Sequence, residues 1–493
     1  MTGMAFAVAI SFAGAGTAGA QSAGASGWTQ YQGDAAHSAT LADGPEPPYR
    51  VRWTLPAPDG ESLSGAVIAG DVAITLGRSA VYGIDLATGE VAWQVAREGG
   101  PLSIPAVTTG ARSLVLFVDG PATATAPTTS PSASPSASPT TASPTPTSTT
   151  ASSGASGSTG AEASGASLVA IGLVNHKEAW RVPLPAISRT GVTLVGDTAL
   201  VADVEGNVTA VSTADGSVDW TKPTGGRIDV PLAASRELVV AVSRNVDARE
   251  LLVSGLKLSD GSAAWPALAS RQTSTAASAP AIAGDLIVVG LPDRFVHAIS
   301  TSDGTERWQA LGLSVYSPVT SPAASDDTIY AADLGGGLYA LNAADGTRRW
   351  DHQLNDLVLR SAPVRSGADV LLGLQDGRLV VVDDADGHLV WQSAPTPGLI
   401  GAIALAPDVV VAVKGGREAG LIAFETDPDG HLIDVASPTE LDLGVTLPRL
   451  ALGAAIALVV VLVPGFLARR RFGDAFAQVD DEADDAADEE PDV

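Results

Sequence analysis

The sequence predicts an all-β fold, an eight-bladed β-propeller followed by one C-terminal transmembrane helix, and three observations carry that prediction. Seven tryptophans recur at a near-constant spacing, a glycine turn stands four residues before six of them, and an uncharged apolar stretch closed by arginines lies near the C-terminus. Composition agrees: aromatic residues are only 5% of the 493, while 53 glycines and 32 prolines punctuate aliphatic runs, as short strands joined by tight turns require.

Taken from the N-terminus, residues 1–26 read as a signal-peptide-like segment, because the apolar small-residue run 4–20 ends in Ala18-Gly19-Ala20 before Gln21. No Lys or Arg precedes Arg50, so the usual charged start is missing. The propeller is expected over 27–441. Inside it, residues 121–167 hold only Pro, Ala, Thr, Ser and Gly apart from Glu162, and are expected to be a disordered insertion. Residues 450–467 carry no charge and, at 1.5 Å per residue, reach about far enough to cross the hydrocarbon core as a helix. Arg469, Arg470 and Arg471 follow it against the single Arg449 before it, which places the C-terminus in the cytoplasm and the propeller outside. From Asp474 onward ten acidic side chains and no basic one make 468–493 a solvated acidic tail. The expected location is therefore the cell membrane, single-pass, with the propeller extracytoplasmic.

The repeat is read from its clearest copies: VYGIDLATGEVAW (81–93), FVHAISTSDGTERW (295–308), LYALNAADGTRRW (338–350) and LVVVDDADGHLVW (379–391). Weaker copies end at Trp180, Trp220 and Trp265, and the one at 168–180 has lost its turn glycine. Successive tryptophans from Trp93 to Trp391 are 87, 40, 45, 43, 42 and 41 residues apart, and the long interval becomes about 40 once the 47-residue insertion is removed. Each unit has room for about four short strands. Gly89, Gly216, Gly261, Gly304, Gly346 and Gly387 supply the left-handed residue of a hairpin loop, and the preceding Asp or Thr can accept from the turn backbone. The tryptophan would fill the gap between blades.

The ends set the blade count. A copy at 421–434 has the turn without the tryptophan, whereas Trp53 stands 40 residues before Trp93 without the turn. If the strand around Trp53 completes the last blade, the ring closes on eight structural tryptophans (Trp53, Trp93, Trp180, Trp220, Trp265, Trp308, Trp350 and Trp391) and Trp28 falls outside it, in a lead-in segment.

These motifs resemble the pyrroloquinoline-quinone (PQQ) repeat family, which includes eight-bladed quinoprotein dehydrogenases and outer-membrane assembly lipoproteins of similar fold. The lead-in GWTQYQGDAAHSAT is similar to the way that family begins its first blade. The resemblance implies fold more strongly than chemistry. In the dehydrogenases it implies a quinone on the ring axis, a capping disulfide and Ca²⁺ held by carboxylates and an amide. This chain has no cysteine, so that disulfide cannot form.

Other chemistries find little support. A net charge of −27 repels a polyphosphate backbone, so nucleic acid is excluded as a partner. Glu425, Asp427 and Asp429 before Gly430 have the alternate spacing of a Ca²⁺ loop but no closing Glu, and lie where a hairpin turn is expected. The histidines, at 37, 176, 297, 352, 388 and 431, form no i, i+4 pair. No nucleophile elbow or phosphate loop is present. The reading is a non-catalytic, membrane-tethered scaffold with no catalytic, cofactor or metal residue, binding a protein or cell-envelope polymer; the alternative is a membrane-bound quinoprotein oxidoreductase using PQQ and Ca²⁺.

Overall fold

The computed structural model describes residues 27–433, apart from 61, 111, 121–164, 272–276, 313–319, 326 and 359. Eight sheets follow one another in sequence. Blade 1 spans Val67 to Ala96, blade 2 Ala106 to Pro183, blade 3 Val192 to Pro223 and blade 4 Ala233 to Arg271. Blade 5 spans Ala281 to Leu311, blade 6 Ala323 to Gln353 and blade 7 Val364 to Gln392. Blade 8 takes three strands from Ile400 to Thr426 and its outermost from the N-terminal arm, Tyr49–Pro56, with Trp53 opposite Ala423. Ring closure through the strand of Trp53 therefore holds.

Within a blade the first three strands are buried on both faces and read as aliphatic runs, such as Leu114–Asp119 and Asp369–Gly373, because neighbouring sheets cover them. The fourth strand is mostly exposed, as in Val91–Ala96. The register shifts by one residue just before Trp53, Trp220, Trp308 and Trp350, a bulge that re-aims the indole.

That indole joins one blade to the next. The Nε1–H of Trp53 donates to Leu86 O (2.8 Å), that of Trp308 to Ala343 O (2.8 Å) and that of Trp350 to Asp384 O (2.7 Å), with Trp180, Trp220 and Trp265 doing the same. Each accepting carbonyl lies in the turn after the third strand of the following blade. The turn glycine is fixed twice over: Gly346 has φ +70°, and a Cβ there would stand 2.5 Å from the Trp308 ring. Blade 2, which lacks the glycine, puts His176 at φ +55° and stacks its ring on Trp93 at 4.7 Å. Trp391 instead meets Tyr49 edge-on at 5.2 Å.

Two ends of the ring follow from this topology. At the hairpin end the first strand turns into the second and the third into the fourth; at the loop end lie the second-to-third turns and the inter-blade connections. The lead-in crosses the axis at the hairpin end. Its carbonyls accept from the innermost strands in turn: Trp28 O from Ile68 (blade 1), Thr29 O from Val107 (blade 2), Ala35 O from Ala234 (blade 4) and Ala36 O from Ile282 (blade 5). Ser38 O and Ala39 O then accept from Ala324 (blade 6) and Arg365 (blade 7). For blade 3 the Gln30 side chain replaces the backbone, accepting from Leu194 N at 2.7 Å and donating to Leu194 O at 3.2 Å. Thr40–Leu41 then pairs parallel with blade 7. These contacts satisfy N–H groups that seven converging sheet edges would otherwise leave unpaired.

Two expectations are corrected. Trp28 is not outside the ring: it is 4% exposed, buried on the axis with the Gly33 backbone packed against its ring. The insertion is shorter than 121–167, because Ser167 already pairs with Asp119 in blade 2 and Ala166 is buried. Its base is clamped, since the buried Asp119 accepts from Glu98 N and Arg181 and lies 3.5 Å from the buried Arg97. No helix among the described residues is long and apolar enough to cross a membrane. The expected span 450–467 lies outside the described residues, as do 1–26, 434–441 and 468–493.

Candidate functional site at the axial mouth

The lead-in closes the axis at the hairpin end, so a ligand or partner could reach it only from the loop end. There Trp28, Tyr31 and Gln32 form a floor, and the wall is built from the residues just before each innermost strand. Most of those positions are small, namely Ala66, Ala279 and Ala362 with Thr320, Ser321 and Ser361, while Ile104, Val230 and Pro231 are larger, and Val364, Ala402 and Ile403 reach in from the innermost strands themselves. Two hollows of about 30 and about 160 Å³ share Tyr31 and Arg360.

Three polar groups define the mouth. The Tyr31 hydroxyl lies 2.7 Å from Ser321 Oγ, and burial pushes its pKa up. Gln32 donates to Pro322 O at 3.3 Å, but its Oε1 is buried without a partner. Arg360 is exposed and forms no ion pair among the described residues, one fixed positive charge in a chain of net −27. Beneath the floor His37 is 1% exposed, and its Nδ1 lies 2.7 Å from Pro280 O. Burial holds that imidazole neutral, with a pKa down at about 4.

A quinone with Ca²⁺ does not fit this mouth. The quinone carries several carboxylates, and the described wall offers one guanidinium to receive them. Calcium needs six to eight oxygen donors, usually including carboxylates, and among the described residues no Asp or Glu lines either hollow.

The other residues singled out in the sequence fall elsewhere. Glu425 is held by Arg50 at 2.8 Å and Arg52 at 3.5 Å, while Asp427 accepts from Asp429 N at 3.2 Å; the group caps a turn. His297 sits between Asp293 (3.0 Å) and Glu306 (2.9 Å) in blade 5. Burial lowers its pKa, but the bonds to Asp293 and Glu306 outweigh that and leave it raised. His37 on the axis and His297 in the third strand of blade 5 are therefore opposite in charge tendency. Sequence reasoning missed Tyr31 and Gln32, which lie in the aperiodic lead-in, and Arg360, whose only signal is its place just before an innermost strand.

Comparison with known proteins agrees with this architecture. The sequence family described as "Outer membrane protein assembly factor BamB" matches residues 164–314 and 313–398. A search of curated proteins finds no match. Among solved structures, BamB from Moraxella catarrhalis superposes with a TM-score of 0.52 at 14% identity, over 77% of this chain and 100% of that one. The computationally designed Ika8 protein gives 0.56 at 12% identity, over 76% and 99%. Quinohemoprotein alcohol dehydrogenase ADHIIG from Pseudomonas putida HK5 gives 0.54 at 11% identity, over 84% and 82%. At these identities the likeness is one of fold, shared by an assembly factor, a designed ring and an enzyme.

Proposed function

We propose that this PQQ-like repeat propeller is a non-catalytic binding scaffold of the cell envelope, engaging a protein partner at its loop end. The observation that carries the reading is the axial wall: small and aliphatic side chains, one free guanidinium and, among the described residues, no carboxylate, which suits a surface that receives a chain or loop rather than one that holds a metal–quinone pair. The same end presents Leu311 and Leu357, 46% and 39% exposed, as apolar surface. The likeness to an outer membrane protein assembly factor supports a protein partner. We also propose that residues 450–467 tether the ring to the membrane with 468–493 in the cytoplasm, as the flanking arginines suggest.

The test is copurification of the full chain from its own membranes, wild type against Arg360→Glu. The expected result is a defined protein set that is lost on charge reversal, with no saturable response to PQQ plus Ca²⁺. Equal recovery from both, or saturable quinone binding, overturns the reading.

A further inference from the structure

The lead-in leaves one blade out. It meets the innermost strands of blades 1 to 7, yet among the described residues no hydrogen bond runs from it to the innermost strand of blade 8, Ile400–Ala406. The smaller axial hollow lies against that strand, where Ala402 and Ile403 line it together with Trp28 and Gln32. Two residues before the tied position, blades 2, 5, 6 and 7 carry Pro105, Pro280, Pro322 and Pro363, which have no N–H to present to the axis. In blade 8 the register makes Leu405, opposite Val410, the counterpart of Arg365, opposite Val370, so Ile403 stands at the proline position. The alternation of the ladder turns the Ile403 N–H inward, and no carbonyl of the lead-in meets it.

The independent observation is Gln32. Two residues earlier, Gln30 has both ends of its amide satisfied by Leu194. Gln32 is 4% exposed and has only its Nε2 satisfied, on Pro322 O of blade 6 at 3.3 Å. That bond fixes which way the amide is turned, because the reverse would set two oxygens together. The atom facing away from blade 6 is therefore an acceptor, Oε1, buried and without a partner in a residue that lines the hollow. A buried acceptor is costly until a donor reaches it. Arg360 lines both hollows and forms no ion pair among the described residues, so the same mouth also offers an uncommitted cation.

We propose that the axial mouth captures the C-terminus of a partner chain, an inference that rests on the protein partner proposed above. The N–H of the last residue donates to Gln32 Oε1, its α-carboxylate pairs with Arg360, and a carbonyl just before it accepts from Ile403 N–H. Its side chain enters the larger hollow, of about 160 Å³, among Val230, Pro231, Ala279 and Ala362, which suits a small apolar residue. A chain end is required, and not a strand passing through, because the lead-in closes the far side of the axis. Charge decides which end: the Arg360 guanidinium repels an N-terminal ammonium, and among the described residues no Asp or Glu lines either hollow to receive one.

The test uses the full chain in detergent and two pools of N-acetylated heptapeptides, randomised at their last four positions and differing only in a free or an amidated C-terminus. The free-acid pool should be retained, with Ala, Val and other small apolar residues enriched at the last position, and the amidated pool should pass through. Arg360→Gln and Gln32→Met should each cut retention by about tenfold. Arg378→Gln, which removes an arginine paired with Asp376 at the same end of blade 7, should leave it unchanged. Arg360 is exposed, so its variant should melt with wild type and carries the test even if Gln32→Met melts early. Equal retention of the two pools, retention of neither, or retention that survives Arg360→Gln overturns the assignment. A partner set that still copurifies from membranes and is lost with Arg360→Glu would then leave the scaffold reading standing, which tells the two failures apart.

Discussion

The two halves of the N-terminal arm make an instructive pair. Residues 28–41 tie seven blades together at the axis, while Tyr49–Pro56, a few residues later, closes one blade at the rim. The axial half uses scattered single hydrogen bonds and three non-glycine residues at positive φ, Gln32, His37 and Ala39. The rim half uses a regular antiparallel ladder. Closure by pairing needs a strand pattern, whereas closure by plugging needs a coiled segment held by what surrounds it.

Removing residues 27–56 takes away both closures at once and is the harshest way to probe this contrast. The protein should lose cooperative melting and aggregate through the bared edge of blade 8, checked by light scattering and calorimetry. A monomer with an unchanged melting temperature would show that neither half closes the ring. Single truncations then compare the halves: Trp28→Ala and Trp53→Ala should each cost about 3–5 kcal/mol in denaturant unfolding, because both indoles are over nine-tenths buried. A Trp28 cost far below that of Trp53 would mean the axial half adds little.

The two histidines sharpen the comparison by pH. His37 on the axis has a folded pKa near 4 against 6.5 unfolded, so its contribution is present above about pH 6.5 and lost as pH falls toward 4. The loss approaches on the order of 3 kcal/mol at full titration. His297 near the rim is raised, so its contribution is present below about pH 6.5 and fades as pH climbs through its folded value. Stability profiles of His37→Gln and His297→Gln, each subtracted from wild type, should therefore slope in opposite directions.

A smaller effect tests the turn. Gly346→Ala should cost roughly 1–2 kcal/mol from its left-handed backbone and the Trp308 contact, whereas His176→Gly in blade 2 should be close to neutral. The smallest effect belongs to the insertion: deleting 121–164 should shift the melting temperature very little, because Arg97, Asp119 and Arg181 pin both strand ends without it.

These contrasts explain what was legible in the sequence. Trp53 and its strand were found because a tryptophan without a turn, 40 residues before Trp93, matched a turn without a tryptophan at 421–434. Trp28 was misplaced because the lead-in has no period; its partners, from Ile68 to Arg365, are fixed only when seven blades converge. Tyr31 was invisible for the same reason, and Arg360 because inter-blade connections vary in length and break the register on which a repeat alignment depends. The alternate acidic spacing at Glu425 belongs to a turn, as its position in the repeat implied, with Glu425 held by Arg50 and Arg52.

The clamp at Asp119 has a practical corollary. A ring already interrupted between Asp119 and Ser167, with Asp119 anchored by Arg97 and Arg181 and Ser167 laddered to it, offers a ready splice point for a fluorescent protein or an epitope. Such a fusion would display its cargo at the loop end, beside the axial mouth, and would report by proximity labelling or energy transfer whatever docks there in the living cell.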